Sequence, residues 1–314
     1  MNDPRLALRA SDSPAALFVG TMNFGKRTPE PEARAIVARA IERGLSAFDT
    51  ANAYGDGESE RILGRALGAR RPECFVATKV GFGRPAGKPE GLSPLRVTEA
   101  LDESLARLAT DYVDVYYLHV PDYTTPLEAT LEAMARVLDA KKARAWGVSN
   151  FASWQILEMF AIADRAGMPR PVISQQMYNL LVRQLEIEYF KFTTRHPIHT
   201  TVYNPLAGGL LSGKQGARFE KNPLYQRRYL SRAFSEATAE LGRIAGRAGM
   251  TPVDLAYAWL ARRPGVDSIL VGPATIAHLD AAIEGRGRVL DDETRAAIDA
   301  VHRELAGTDA TYAR

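Results

Sequence analysis

Cysteine is almost missing from this sequence, with Cys74 alone among 314 residues. A single thiol excludes an intrachain disulfide framework, and with no second Cys or His at ligand spacing it also excludes a cysteine-based zinc site. The chain reads as one suited to a reducing compartment. Long apolar runs are missing too: no stretch reaches the roughly 18 apolar residues of a spanning helix. Met1 to Ala16 is polar and charged, without the apolar run of a signal peptide. The expectation is a soluble, cytoplasmic protein with no membrane contact. An excess of one charge sign is absent as well, because 40 Lys and Arg face 37 Asp and Glu for a net +3, and the two signs are interspersed. No basic face or tail announces nucleic acid, and a pI near 8.9 decides little by itself. The last absence is a phosphate-binding G-x-G-x-x-G after the first strand, which a doubly wound dinucleotide fold would usually carry. The nearest match, Gly81-Phe82-Gly83-Arg84-Pro85-Ala86-Gly87, has the wrong spacing and a proline where a helix should open, so it reads as a strand-to-helix loop.

What is present is alternation. Eight short β-type runs are separated by longer segments of helical period, the pattern of βα units around a parallel sheet. The runs are Leu17 to Gly20, Ala47 to Asp49, Phe75 to Lys79, Val113 to Leu118, Arg144 to Val148, Val172 to Gln175, Thr200 to Tyr203 and Ser268 to Val271. Helix starts are signalled by Pro29 ahead of Glu32 to Arg43, by Ser93-Pro94 ahead of Leu95 to Leu108, and by Thr251-Pro252 ahead of Val253 to Arg262. Gly44 and Gly167 stand where C-caps belong. The fold class expected is α/β, a (β/α)8 TIM barrel forming one domain over residues 1–314, with a long loop after strand 7. That loop, Ser212 to Ser235, carries Gly213, Gly216, Pro223 and many basic residues. Irregular stretches of such length are usually functional lids or disordered.

In a barrel of this kind the active site forms at the C-terminal ends of the strands. Four groups able to do chemistry fall there: Asp49 ends the second strand, Tyr54 follows in its loop, Lys79 ends the third and His119 follows the fourth. Taken alone, each has a bland reading as a helix cap, a packed turn or a hydrogen-bonded structural residue. Taken together, they make chemical sense. Reduction of a carbonyl needs hydride at carbon and a proton at oxygen, and a phenol of ordinary pKa about 10 needs tuning to supply that proton. An ammonium at Lys79 lowers it, Asp49 keeps that ammonium charged, and His119 donates a hydrogen bond to the substrate oxygen.

These residues resemble the aldo-keto reductase family. The matching stretches are Phe48-Asp49-Thr50-Ala51-x-x-Tyr54-Gly55, Glu58-Ser59-Glu60 with Gly64 beyond, Lys79, Tyr117-Leu118-His119, Gly147-Val148-Ser149-Asn150-Phe151 and Gln175. A closer similarity, to the aflatoxin-aldehyde reductase branch with its succinic semialdehyde reductase-like members, is carried by four stretches: Gly20-Thr21-Met22, Ser149-Asn150-Phe151-Ala152-Ser153-Trp154, Met177-Tyr178-Asn179 and Tyr203 through Lys214. It extends to the terminal Tyr312-Ala313-Arg314. The resemblance implies an oxidoreductase that uses NADPH to reduce aldehydes, including dialdehydes and carboxylated aldehydes, and it implies a homodimer.

It also implies cofactor contacts, residue by residue. Ser149, Asn150 and Gln175 would hold the carboxamide, and Tyr203 would stack on the nicotinamide. Met22 and Asp49 would line the same end. Asn204, Pro205, Leu206, Gly208, Gly209, Leu210, Gly213 and Lys214 would run along the pyrophosphate with Arg218 nearby; without the resemblance, Gly208-Gly209 reads equally well as a flexible turn. Gly272, Ala274, Thr275 and His278 would meet the adenosine end at a helix N-terminus. Here the sequence departs from its branch, with Ala274 for an expected Ser, His278 for Gln and Ala282 for Asn, and Gln176 replaces a usual Gly beside Gln175. Tyr225, Arg228 and Arg314 would line the substrate pocket with His119, although Arg227-Arg228 also reads as a solvated surface pair. Two rivals stand beside this reading. A metal-dependent barrel hydrolase would use His119, Asp122 and Asp49 but lacks a second strand-end His. A non-catalytic regulatory subunit or redox sensor would need an effector tail, and only Met1 to Ala16 precede the first predicted strand.

Overall fold

A computed structural model describes residues 3–83, 90–213, 223–229 and 231–307. Eight parallel strands close into a barrel in sequence order: β1 Ala16–Gly20, β2 Ala47–Asp49, β3 Phe75–Val80, β4 Val113–Leu118, β5 Ala143–Ser149, β6 Ile173–Met177, β7 His199–Tyr203 and β8 Ser268–Val271, with β8 pairing back onto β1. Strands enclosed on both faces need no polar face, and all six residues of β3 and of β4 are buried. The inside of the barrel is filled by Phe18, Phe75, Val115, Tyr117 and Ile173 with small alanines between them, a packed core and not a pore. The other faces of the strands bury against the helices in two larger apolar clusters.

The helices around it are α1 Glu30–Glu42, α2 Glu58–Leu67, α3 Pro94–Leu108, α4 Leu127–Asp139, α5 Ser153–Ala166, α6 Tyr189–Arg195, α7 Pro223–Tyr229, α8 Arg232–Arg247, α9 Pro252–Ala261, α10 Ile276–Gly287 and α11 Asp292–Ala306. Their ends follow local chemistry. The Ser93 hydroxyl accepts from Arg96 N at the start of α3, a Thr251–Asp254 capping box opens α9, and α5 stops at Gly167 in the left-handed conformation, φ 65°. Close packing sets one position strictly. A Cβ on Gly64 of α2 would lie 2.5 Å from the Leu108 carbonyl oxygen, so only glycine lets α2 meet the end of α3.

The stretch after β7 differs from the expected loop. Short 3₁₀ turns within Ala207–Ser212, broken by a kink at Gly208 and Gly209, follow the strand, α7 forms within the stretch read as irregular, and the Ser231 hydroxyl caps α8 at Phe234 N. The reason is tertiary. Tyr229, the last residue of α7, is 1% exposed, and its hydroxyl meets Asn204 Nδ2 at the end of β7. That anchor organises a segment whose composition alone reads as loop.

Candidate active site

Strand register places the chemistry. Asp49 pairs across to Ala77 on β3 and Lys79 to Tyr117 on β4, so Asp49, Lys79 and His119 stand at one rim on neighbouring strands. His119 N donates to Val80 O at 2.8 Å and extends β4 by one residue. The Lys79 ammonium is fully buried; it donates to Asp49 Oδ1 in a very short contact and to Thr50 O at 2.8 Å. Burial pushes its pKa down while the Asp49 carboxylate opposes the shift. Tyr54 follows in the loop 50–57, its ring centroid 5.3 Å from Lys79 Nζ and 5.9 Å from the His119 ring in an edge-on arrangement. The structure thus brings Asp49, Tyr54, Lys79 and His119 to one place.

His119 is electrostatically distinct. Burial and then the Lys79 charge hold its pKa well below the usual histidine value, so the ring is neutral at pH 7. Its Nδ1 is buried with no hydrogen-bond partner among the described residues. A neutral imidazole donates through one nitrogen only.

The neighbouring strand ends form a linked polar set. Gln175 Nε2 donates to Asp49 Oδ2 at 2.9 Å, Asn150 Nδ2 donates to His119 O at 2.9 Å and to Ser149 Oγ at 3.0 Å, and Tyr203 OH donates to Asn150 Oδ1 at 2.7 Å. Three non-glycine residues of this rim, Asn150, Asn204 and Ala207, hold positive φ angles of 67°, 64° and 48°, a strain that clusters where ligands are clamped. Gly208 and Gly209 follow with φ 71° and 107°, a path without Cβ atoms that lets a bound group approach the main chain. Amide and hydroxyl side chains beside a Cβ-free backbone fit the nicotinamide and pyrophosphate portions of a dinucleotide. Gln176 is turned away from this set: its amide donates to Phe151 O and Ser174 Oγ, both at 2.9 Å.

At the β8 end the fit is poorer. The segment after the strand is tied to the loop before α1, with Asn23 Nδ2 donating to Gly272 O at 3.0 Å and Thr28 Oγ1 to Ala274 O at 3.1 Å. Thr275 caps α10 through His278 N, and Ala274 N reaches His278 Nδ1 at 3.4 Å. No Lys or Arg occurs between Gly272 and Ala282. Met22 is 42% exposed, and Arg228 is half-buried on α7. Lys214, Arg218, Arg314 and the Tyr225 side chain lie outside the described residues.

Sequence reasoning missed three contributors. Phe82, 49% exposed, sits with its ring 4.9 Å from that of His119 and supplies an apolar wall beside it. Its signal was Gly81-Phe82-Gly83, an aromatic between two glycines at a strand end. Glu90 accepts from Asn52 Nδ2 at 2.8 Å and from Gly81 N at 2.7 Å, joining the Tyr54 loop to the next one. Tyr229 is the third, through Asn204. Asp122, considered as a metal ligand, is instead occupied by Leu92 N, Thr124 and Thr125. Among the described residues no group of three His, Cys, Asp or Glu gathers as a metal set, and no helix is long and apolar enough to cross a membrane.

Comparison with known proteins gives a family match over residues 16–303 to the model described as "Aldo/keto reductase family". Among curated relatives, a probable voltage-gated potassium channel subunit beta of Arabidopsis thaliana is 37% identical over 268 residues, covering 81% of this chain and 82% of the relative. Its counterpart in Oryza sativa subsp. japonica is 35% identical over 281 residues, 85% of each chain. Aflatoxin B1 aldehyde reductase member 2 of Homo sapiens is 40% identical over 200 residues, 63% of this chain and 55% of the relative.

Proposed function

This chain belongs to the aldo/keto reductase family, and with it to the oxidoreductases, and on that premise we propose that it reduces aldehydes to alcohols with NADPH. The observation that carries the proposal is the buried Lys79–Asp49 pair beside Tyr54 and His119 at one barrel rim. NADPH supplies the hydride when bound. Ser149, Asn150 and Gln175 would hold the carboxamide, Tyr203 would support the ring, and residues Asn204 to Leu210 would follow the pyrophosphate. Tyr54 gives its phenolic proton to the carbonyl oxygen, and the Lys79 ammonium makes that transfer easier by stabilising phenolate. The second oxygen of Asp49, held by Gln175, fixes the carboxylate that keeps Lys79 charged. Neutral His119 orients the carbonyl by hydrogen bonding and stabilises the developing negative charge. Loss of nicotinamide absorbance with 4-nitrobenzaldehyde tests the reading directly; no turnover with any aldehyde of a broad screen would reject it.

The similarity to human aflatoxin B1 aldehyde reductase member 2 supports an aldehyde as substrate. A second reading, a regulatory channel subunit, is favoured by the two plant relatives, which cover more of this chain. Tight NADPH binding without turnover across the aldehyde screen would favour it over the reductase.

A further inference from the structure

We propose that Glu90 is a positioning residue for carbonyl reduction: its carboxylate fixes the loop that carries Tyr54 against the loop that carries Phe82, and so sets the spacing between the proton donor and the apolar wall beside His119. The inference rests on the reading above, in which Tyr54 delivers the proton.

Glu90 joins three separate pieces of the rim. Its Oε1 accepts from Asn52 Nδ2 at 2.8 Å and from Gly81 N at 2.7 Å, while its Oε2 accepts from Arg96 Nε at 3.0 Å. Asn52 is fully buried two residues before Tyr54, and its main-chain amide donates to Lys79 O at 3.2 Å. Gly81 stands one residue before Phe82 with φ 108°, and a Cβ there would lie 2.6 Å from a Leu92 methyl, so the two segments touch through a glycine. Only 7% of the Glu90 side chain is exposed, which leaves water little room to compete for these bonds. Hydrogen bonds to an ionised oxygen are also roughly twice as strong as neutral ones.

The carboxylate is itself held in place. Arg96, in the first turn of α3, donates through its other two nitrogens to Glu103 at 2.9 and 3.0 Å. Beyond Glu90, Leu92 N donates to Asp122 Oδ2 at 2.7 Å, and Thr130 Oγ1 donates to Leu92 O at 2.9 Å, which fastens the segment to the loop after β4 and to α4. At the far end of α3, Arg107 Nε donates to buried Glu60, whose second oxygen accepts from Thr78, one residue before Lys79. The helix that holds Glu90 is thus tied to the strand that holds Lys79, and the Tyr54 loop is located relative to both. Glu90 acts through Asn52 and Gly81. Misplacement of a reacting group by about 1 Å costs up to roughly a hundredfold in rate, so a bond two residues from the proton donor is enough to matter.

Glu90→Gln keeps an oxygen for Asn52 and Gly81 and loses the Arg96 pair, whereas Glu90→Ala removes all three bonds. With 4-nitrobenzaldehyde, Glu90→Ala should lower kcat about ten- to a hundredfold while the NADPH Kd, read by quenching of tryptophan fluorescence, stays within about twofold of the parent. Glu90→Gln should recover kcat to within about threefold of the parent. Asn52→Ala should be slowed like Glu90→Ala, and the double variant should be no slower than the slower single one, because the same placement is lost once. Gly64→Ala, strained against the Leu108 main chain, is the stability control and should keep its kcat per folded molecule. If Glu90→Ala does not fold, Asn52→Ala carries the test alone. Unchanged kcat in the alanine variants, no recovery in Glu90→Gln, losses that multiply in the double variant, or an equal loss in Gly64→Ala overturns the proposal and leaves the reductase reading standing. Absence of turnover by the parent protein with every aldehyde overturns that reading, and the inference with it.

Discussion

Gln175 and Asp49, 126 positions apart in sequence, meet across the barrel rim, the Gln175 amide donating to Asp49 Oδ2 at 2.9 Å. Because Asp49 Oδ1 is already engaged by Lys79, the carboxylate is held at both oxygens. A residue proposed for the cofactor thus also holds the carboxylate that pairs with Lys79, beside the proposed proton donor Tyr54.

Tyr54→Phe should abolish turnover while leaving the NADPH Kd nearly unchanged. General acid catalysis contributes roughly 10²- to 10⁴-fold, all of it in the transition state. Steady-state kinetics beside fluorescence titration checks this, and retention of more than about a tenth of kcat would remove Tyr54 from the role.

Asp49→Asn should act on stability and on the pH profile together. An ammonium buried without its partner costs about 3 to 5 kcal/mol when it stays charged. Burial already lowers the Lys79 pKa, and loss of the opposing carboxylate lowers it further. Lys79 then sheds its proton at lower pH, so the alkaline fall in kcat moves towards neutrality. An unmoved alkaline limb would show that Asp49 does not maintain that charge.

The neutral state of His119 gives a stability prediction with a definite sign. Its folded pKa lies well below the unfolded value of about 6.5, so below that pH the unfolded chain binds a proton the folded one refuses. Stability therefore falls on acidification from about pH 6.5, by about 1.4 kcal/mol per pH unit for each such proton, until the folded pKa is reached. His199 and His302, also lowered by burial, act in the same direction. Denaturant titrations between about pH 7.5 and 5.5 should show this slope, and His119→Gln should reduce it. An identical slope in that variant would place the effect elsewhere.

Arg228 should matter for substrate charge. A charge-assisted hydrogen bond to a carboxylate contributes about 1.5 to 3 kcal/mol, roughly ten- to a hundredfold in kcat/KM. Succinic semialdehyde and 2-carboxybenzaldehyde should outperform uncharged aldehydes of similar size, and Arg228→Ala should remove the advantage mainly through KM, as should deletion of Tyr312 to Arg314. Slowing of 4-nitrobenzaldehyde to the same degree would mean that these arginines do not read the carboxylate.

Gly64→Ala tests packing remote from chemistry. The added methyl would meet the Leu108 backbone, which cannot yield as a flexible side chain does. Such overpacking costs about 1 to 3 kcal/mol. Thermal unfolding should register the loss while kcat per folded molecule stays near the parent value; an unchanged Tm would show that α2 and α3 separate freely.

The sequence by itself determined the eight βα units and the identity of the rim groups, because strands enclosed on both faces read as short apolar runs and the C-terminal ends of those runs carry Asp49, Lys79 and His119. Glycine and serine caps marked the helix ends for the same local reason. Only the tertiary structure decided what those groups experience. The low His119 pKa comes from burial and from a charge on another strand, the direction of Gln176 from the register of β6, and the helix at Pro223–Tyr229 from Tyr229 reaching Asn204. Glu90 illustrates the division most sharply. In sequence it is one acidic residue before a glycine, and its meaning comes from Asn52, which the pairing of β2 with β3 brings beside it. Propensity and periodicity act over a few neighbouring residues, whereas burial and Coulomb interactions depend on distances that exist only once β8 has paired with β1.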